Sequence, residues 1–350
     1  DPAYQKCRSK LYLPSPGNRD GSIDLDGFFS LHSELAPLHQ LFQNNSLAII
    51  HACGTGDKSM SRFDATTRLN RGGSVSNRFQ GWLGIHLDEK GVTNVPLRAV
   101  CCGSRLDGPL ENAREAAAIP SLPDFQLRVP PGWNSYPSGL RLMLTEDVTD
   151  THRSAKSSPL RESAERTLRM LERLRVPDHR RPSAAYPDND FGRQLESIAH
   201  LVESNVGLEA AVVQLGGWDS HVNQTQGLSR QLQTLASGLR AFYRNLRDQF
   251  HRIVVVTVSE FGRRVEENSG GGTDHGNGTV MFALGQRIKG GKVYTSWPGI
   301  SSSDLDVNGN LRPTLDFRDV LTEILVGFHG CENPGIVFPD FKPTPLGIIQ

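Results

Sequence analysis

The sequence predicts an α/β fold built on a largely parallel sheet that is covered on both faces. Three observations carry that expectation. Residues 210–215, 253–258 and 279–284 are short apolar runs of strand length. Between the first two, residues 225–250 place Leu228, Leu232, Leu235, Leu239, Phe242, Leu246 and Phe250 at helical spacing. A second helical pattern over 317–328 turns Val320, Leu321, Ile324 and Leu325 to one side. Apolar strands separated by helices build parallel sheets with both faces buried, and such sheets bind ligands beyond the carboxyl ends of their strands.

The first half reads similarly. Residues 31–42 have helical spacing and precede Leu47-Ala48-Ile49-Ile50-His51-Ala52, read as a buried strand. Cys53-Gly54-Thr55-Gly56-Asp57 is a turn signal. A helix opens within Ser59-Met60-Ser61-Arg62-Phe63-Asp64-Ala65 and stops at Gly72-Gly73. Residues 97–102, after Pro96, form another candidate strand, and 191–205 another helix. Residues 104–190 are rich in Pro and Gly, with one strong helical pattern at 160–174. They read as an insertion or cap within a single domain spanning 1–350.

Composition narrows the function. The chain has 350 residues, and its 38 basic and 38 acidic residues balance. No basic stripe points to nucleic acid, and no apolar run approaches the ~20 residues that span a bilayer. The five cysteines include no Cys-x-x-Cys pair, so a zinc knuckle is not expected. Their odd number excludes complete pairing within the chain. They read as buried free thiols, with adjacent Cys101 and Cys102 facing opposite ways. Asp1-Pro2-Ala3-Tyr4 is not the start of a signal peptide, so the sequence fits either a cytoplasmic chain or a mature exported one.

Three clusters adjoin the strands of the second half. Gly216-Gly217-Trp218-Asp219-Ser220-His221 can present a carboxylate and an imidazole to one ion. Such mixed donors suit zinc, manganese or iron, whereas calcium prefers oxygen alone. Alternatively, Asp219 caps the next helix and His221 is incidental. In Ser259-Glu260-Phe261-Gly262-Arg263, Glu260 is either a ligand or general base, or the partner of an arginine that holds the loop. Arg263 has the fork that grips a planar oxyanion. Gly272-Thr273-Asp274-His275-Gly276 is either a surface loop or a ligand loop in which neighbouring Asp274 and His275 point apart, so that one meets the ion and the other orients an imidazole. Ser61 is either a nucleophile at a helix N-terminus or a plain cap. His51 either enters the same cleft or is a core histidine.

These clusters, in order, resemble the family called domain of unknown function 1501. The matching segments also include Leu25-Asp26-Gly27, Leu31-His32, Ser61-x-Phe63-Asp64-Ala65, Gly81-Trp82-Leu83-Gly84, Phe191-Gly192-Arg193-Gln194-Leu195, Gly290-Gly291 and Asp316-Phe317-Arg318. The family is grouped with the alkaline phosphatase and sulfatase superfamily and often carries a twin-arginine export signal. The resemblance implies an alkaline-phosphatase-like three-layer α/β/α sandwich and a periplasmic or exported location. It also implies divalent metal ions, zinc ahead of manganese or calcium. By this resemblance Asp219, His221 and His275 form one metal site and Glu260 belongs to a second. Ser61 is nucleophile or ligand, Asp274 stands behind the ligands, and Arg62, Arg263 and His51 face the substrate.

Three departures bear on activity. Family members commonly carry His where this chain has Arg62. Phe261 stands in place of a superfamily second-site histidine. Members also begin with a strand and a Gly-Gly-x-Asp-Gly motif that supplies a second-site Asp, whereas Asp1-Pro2-Ala3-Tyr4 resembles the segment after that strand. The expectation is therefore a trimmed chain, less stable and weakly active at most, with a gap or exposed edge beside 47–52 or 210–215. Two functions are expected as alternatives. One is a metal-dependent hydrolase of small phosphate or sulfate esters. The other is a non-catalytic exported protein that binds an anionic ligand or polymer.

Overall fold

A computed structural model describes residues 1–55, 61–73, 79–93, 95, 97–120, 122 and 185–350. The first half contains α1 (Tyr4–Cys7), β1 (Ile23–Asp24), β2 (Ser30–Leu31), α2 (Ala36–Gln43), β3 (Leu47–Gly54), α3 (Arg62–Asn70), α4 (Trp82–Glu89), β4 (Ala99–Cys101) and β5 (Ala116–Ala118). The second contains α5 (Asp190–Glu203), β6 (Ala210–Val212), α6 (Gln224–Asn245), β7 (Val255–Val256), β8 (Gly262–Arg263) and β9 (His275–Gly276). It ends with β10 (Thr279–Leu284), β11 (Lys292–Tyr294), β12 (Leu315–Asp316), α7 (Phe317–Gly327) and α8 (Pro334–Val337). The helix expected at 160–174, and most of the expected insertion, lie outside the described residues.

The fold is mixed α/β, but the expected single parallel sheet divides into several. A five-stranded sheet has the order β11-β3-β10-β7, with β12 also on β3. In it β11 and β12 run parallel to β3, whereas β10 is antiparallel to both β3 and β7. A separate sheet, β5-β4-β6, is wholly parallel. Residues 210–215 thus contribute a three-residue strand to one sheet, while 47–52, 253–258 and 279–284 contribute to the other. The direction of β10 has a simple cause. No helix separates β7 from β10, and parallel neighbours need a crossover, usually helical, that antiparallel neighbours do not.

β3 is the hub of the larger sheet. Its side chains alternate between two apolar clusters. Leu47 and Ile49 pack with Phe282, Leu284 and residues of α2, α5 and α6, such as Phe42, Leu195 and Phe242. Ala48 and Ile50 pack with Met281, Ala283 and the α7 residues Phe317, Val320 and Leu321. Near its end the ladder slips. Thr279 faces Cys53 and Val280 faces His51, so Ala52 is the extra residue, at φ 56°. Such a bulge bends a strand, and here it lies where β3 approaches the clustered loops.

Other boundaries move for local reasons. The helix expected over 31–42 begins at Ala36, because Pro37 fits only a first turn. The long helix stops at Asn245 and continues as a 3-10 segment, Arg247–Arg252. α7 opens on a capping box between Asp316 and Asp319. All five cysteines are free, and Cys101 and Cys102 join different clusters. No helix among the described residues is long and apolar enough to cross a membrane.

Of the two strands expected to show an open edge, β3 pairs on both sides, whereas β6 stands at the end of its sheet. Among the described residues, β6 pairs only with β4, and β7 only with β10. Arginines tie the chain around these two strands together at both ends. Arg252 donates to the Val202 carbonyl at 3.3 Å before them, and Arg263 to the Trp218 carbonyl at 2.8 Å after them.

A buried polar network anchors the smaller sheet. Arg98, 1% exposed, donates to Glu115 at 2.8 Å and to Glu209 at 2.9 Å. The Glu209 carbonyl accepts from His329 Nε2 at 3.1 Å, and His86 Nε2 lies 2.7 Å from His329 Nδ1. In neutral rings His86 therefore donates to His329. Burial pushes His86 down to about 4, with its neighbours His329 and Lys90 acting the same way. An unfolded histidine titrates near ~6.5. The unfolded chain therefore binds the extra proton between these values, and stability falls as pH drops from ~6.5 to 4. In urea unfolding, this one group is expected to contribute a slope of up to about 1.4 kcal/mol per pH unit in that window. His86→Gln should show a shallower slope there, and an unchanged slope would refute the assignment.

Candidate metal centre

The site is built where two loops meet beyond β6 and β7. After β6 the chain turns at Gly217, φ 83°, and Trp218 Nε1 donates back to the Leu215 carbonyl at 2.7 Å. Residues 218–224 then lie against the glycine-rich loop 268–274. Thr273 N donates to Ser220 O at 3.1 Å, Asn223 N to Gly270 O at 3.1 Å, and Gln224 N to Gly271 O at 2.9 Å. Gly272 permits this approach, because a Cβ there would collide with the backbone of Ser220 and His221. Beneath the contact, the Gln224 side-chain carbonyl accepts from Thr273 Oγ1 at 2.6 Å and from Ser220 Oγ at 3.2 Å.

The antiparallel pair β8–β9 sets Arg263 directly opposite His275. Opposed residues in such a pair share a face. His275 Nε2 lies 3.1 Å from Asp219 Oδ1 and 3.2 Å from His221 Nε2. One ligand atom from each of Asp219, His221 and His275 lies within 4.8 Å of the others, slightly wider than the ~4 Å expected from zinc–nitrogen bond lengths. On its other nitrogen, His221 Nδ1 lies 3.0 Å from Asp274 Oδ1. That carboxylate fixes the proton on Nδ1 and leaves the Nε2 lone pair facing the other two donors. One carboxylate and two imidazoles in this arrangement have the donor chemistry of a zinc or manganese site.

Asp219 is the electrostatic centre. Its Oδ1 also accepts from Arg263 at 3.1 Å, and its Oδ2 from Arg62 at 2.8 Å. Partial burial works to raise its pKa. The hydrogen bond with His275 and the charges of Arg62 and Arg263 outweigh that, and together they hold it below the ordinary carboxylate value. Asp274 is also held low, chiefly by its bonds with His221 and Asn268.

The remaining candidates fall in different places. Glu260 is not part of the three-residue group. It reaches the group through Arg62, whose Nε lies 3.9 Å from Glu260 Oε1. Arg263, expected to face substrate, is committed to protein: Nη1 donates to Thr273 O at 2.6 Å, and Nη2 to Trp218 O and Asp219. Ser61 caps α3, its Oγ accepting from Asp64 N at 3.4 Å. The ring of His51 packs against Phe29 and Trp297, with centroids 5.4 and 5.2 Å away, and burial lowers its pKa to about 4. No hydrogen bond joins it to the three donors. Phe261 stacks on His275 at 4.2 Å.

Asn268 is a site residue that sequence reading missed. Its amide donates to the His221 carbonyl at 3.0 Å and to Asp274 Oδ1 at 3.1 Å, while its carbonyl accepts from Gly270 and Gly272. It locks the loop and aims Asp274 at once. Its only sequence signal is a polar residue opening a glycine run.

No curated protein and no solved structure matches the chain significantly. Residues 50–325 match the family described as "Protein of unknown function (DUF1501)". That span holds β3 from Ile50 onward, α3 and every residue of the site just described, and the chain belongs to this family.

Proposed function

We propose that this protein is an exported, metal-dependent hydrolase of phosphate or sulfate esters, with the three-layer architecture of the alkaline phosphatase and sulfatase superfamily. The observation that carries the reading is the convergence of Asp219 Oδ1, His221 Nε2 and His275 Nε2, backed by Asp274. Zinc suits these donors best. Asp219, His221 and His275 would hold a divalent ion, which would supply Lewis acidity toward an ester oxygen. Asp274 orients His221, Arg263 fixes Asp219 against the loop carrying His275, and Arg62, 60% exposed although paired with Asp219, would meet an anionic substrate. Ser61, at the start of the helix bearing Arg62, is the nucleophile candidate.

One observation favours a second reading. Ser61 Oγ serves as a helix cap, and no contact brings it to the three donors. A protein that binds an anionic ligand without turnover would need no nucleophile.

The test is metal analysis of the purified chain, followed by assays with aryl phosphate and aryl sulfate. One equivalent of zinc or manganese and measurable turnover are expected. His275→Ala should lose both, and failure to lose metal would refute the site. Metal without turnover of either ester would select the binding reading. Asp274→Ala should weaken metal affinity about 10–100-fold, as removal of an imidazole-orienting partner does elsewhere. Unchanged affinity in that variant would mean that Asp274 does not position His221.

A further inference from the structure

Arg62 and Glu260 lie beside the three donors but do not join them. Arg62 is the first residue of α3, and the Ser61 cap fixes where its side chain departs. Its guanidinium spans two carboxylates, with Nη1 at 2.8 Å from Asp219 Oδ2 and Nε at 3.9 Å from Glu260 Oε1. Arg62 thus bridges the carboxylate of Asp219, which belongs to the donor set, and that of Glu260, which does not. Asp219 thus has two separate roles. Oδ1 faces His275 and Arg263, and Oδ2 faces Arg62.

We propose that the Arg62 guanidinium is the second cation of this site, making the centre mononuclear and supplying a fixed positive charge that binds the oxyanion of the substrate. The inference rests on the metal-dependent reading above. A guanidinium keeps its charge at every working pH, unlike an imidazole. A second divalent ion between Asp219 and Glu260 would meet that charge at contact range and find both carboxylates engaged. The guanidinium also has the right chemistry for an anion. It presents several N–H donors in one plane, and its side chain is 60% exposed while that of Arg263 is 19% exposed. When an oxyanion arrives, Arg62 can turn from Asp219 toward it without unburying anything.

Calorimetry on the intact chain tests this with zinc or manganese alone, and then with inorganic phosphate or sulfate on the metal-loaded protein. Wild type should bind one metal ion. Arg62→Ala should still bind one, with equal or several-fold tighter affinity because a competing cation has gone. Its affinity for phosphate and sulfate should fall at least tenfold, and Arg62→Lys should recover part of that loss. Glu260→Gln should keep the metal stoichiometry of wild type. Two ions per wild-type chain, unchanged anion affinity in Arg62→Ala, or loss of an ion in Glu260→Gln would each overturn the inference while leaving a metal centre in place. Joint loss of metal and anion binding in Arg62→Ala would show a merely structural arginine. No metal in wild type would overturn the metal-dependent reading, and this inference with it.

Discussion

Everything at the site is referred to one strand. β3 is an eight-residue run paired on both edges and packed on both faces, so its end is a fixed point. The apolar residues of that strand leave no freedom to slide. A one-residue slip would exchange Leu47 and Ile49 for Ala48 and Ile50 between the two clusters. From its carboxyl end Thr55 reaches the Glu260 carbonyl at 3.4 Å, and β12 pairs with its last residues. β10 lies along it for its full length, and that holds the chain leading out of His275 and Gly276.

Against this fixed end, the two donor loops are soft parts made rigid by each other. Neither carries a metal-ligand set alone: Asp219 and His221 come from one, His275 from the other. Their alignment comes from backbone bonds between 218–224 and 268–274, from the Gly272 contact, and from Asn268 and Arg263 reaching across. The charged groups are then arranged by polarity. Arg62 and Arg263 approach Asp219 from two sides, and Asp274 stands behind His221. Burial costs are modest, since Asp219 and His221 are both 44% exposed in their side chains.

The sequence made these clusters visible because acidic, imidazole and glycine residues fell next to apolar runs, which is where strand ends lie. The spacing Asp219-x-His221 and the doublet Asp274-His275 could be read as one direct donor set with a supporting carboxylate. Local patterns could not report what depends on distance in space. The apolar character of 279–284 says strand but not direction, and β10 runs against the expected sense. Residues 210–215 and 253–258 look alike as strings, yet their strands belong to different sheets. Glu260 and His51 have the right residue types but the wrong neighbours, Arg62 for one and two aromatic rings for the other. The His86–His329 pair joins residues 243 positions apart, and no period or motif announces such a contact.

The pairing of β3 on both sides, and of β6 and β7 on one, also sets an order of local opening. Amides of β3 and β10 lie deep in a ladder whose rupture requires both apolar clusters to part, so their solvent exchange follows global unfolding. β6 and β7 are short, half-exposed and held by one neighbour each among the described residues. Their amides open by small fluctuations that leave the rest intact. The loop carrying Asp219 and His221 hangs from β6, while the loop carrying His275 runs straight into β10. One of the three donors, His275, is therefore tethered to the more persistent ladder, and the other two, Asp219 and His221, to a strand held by one neighbour among the described residues. An ion that bridges them would act as a clasp between two regions of unequal lifetime.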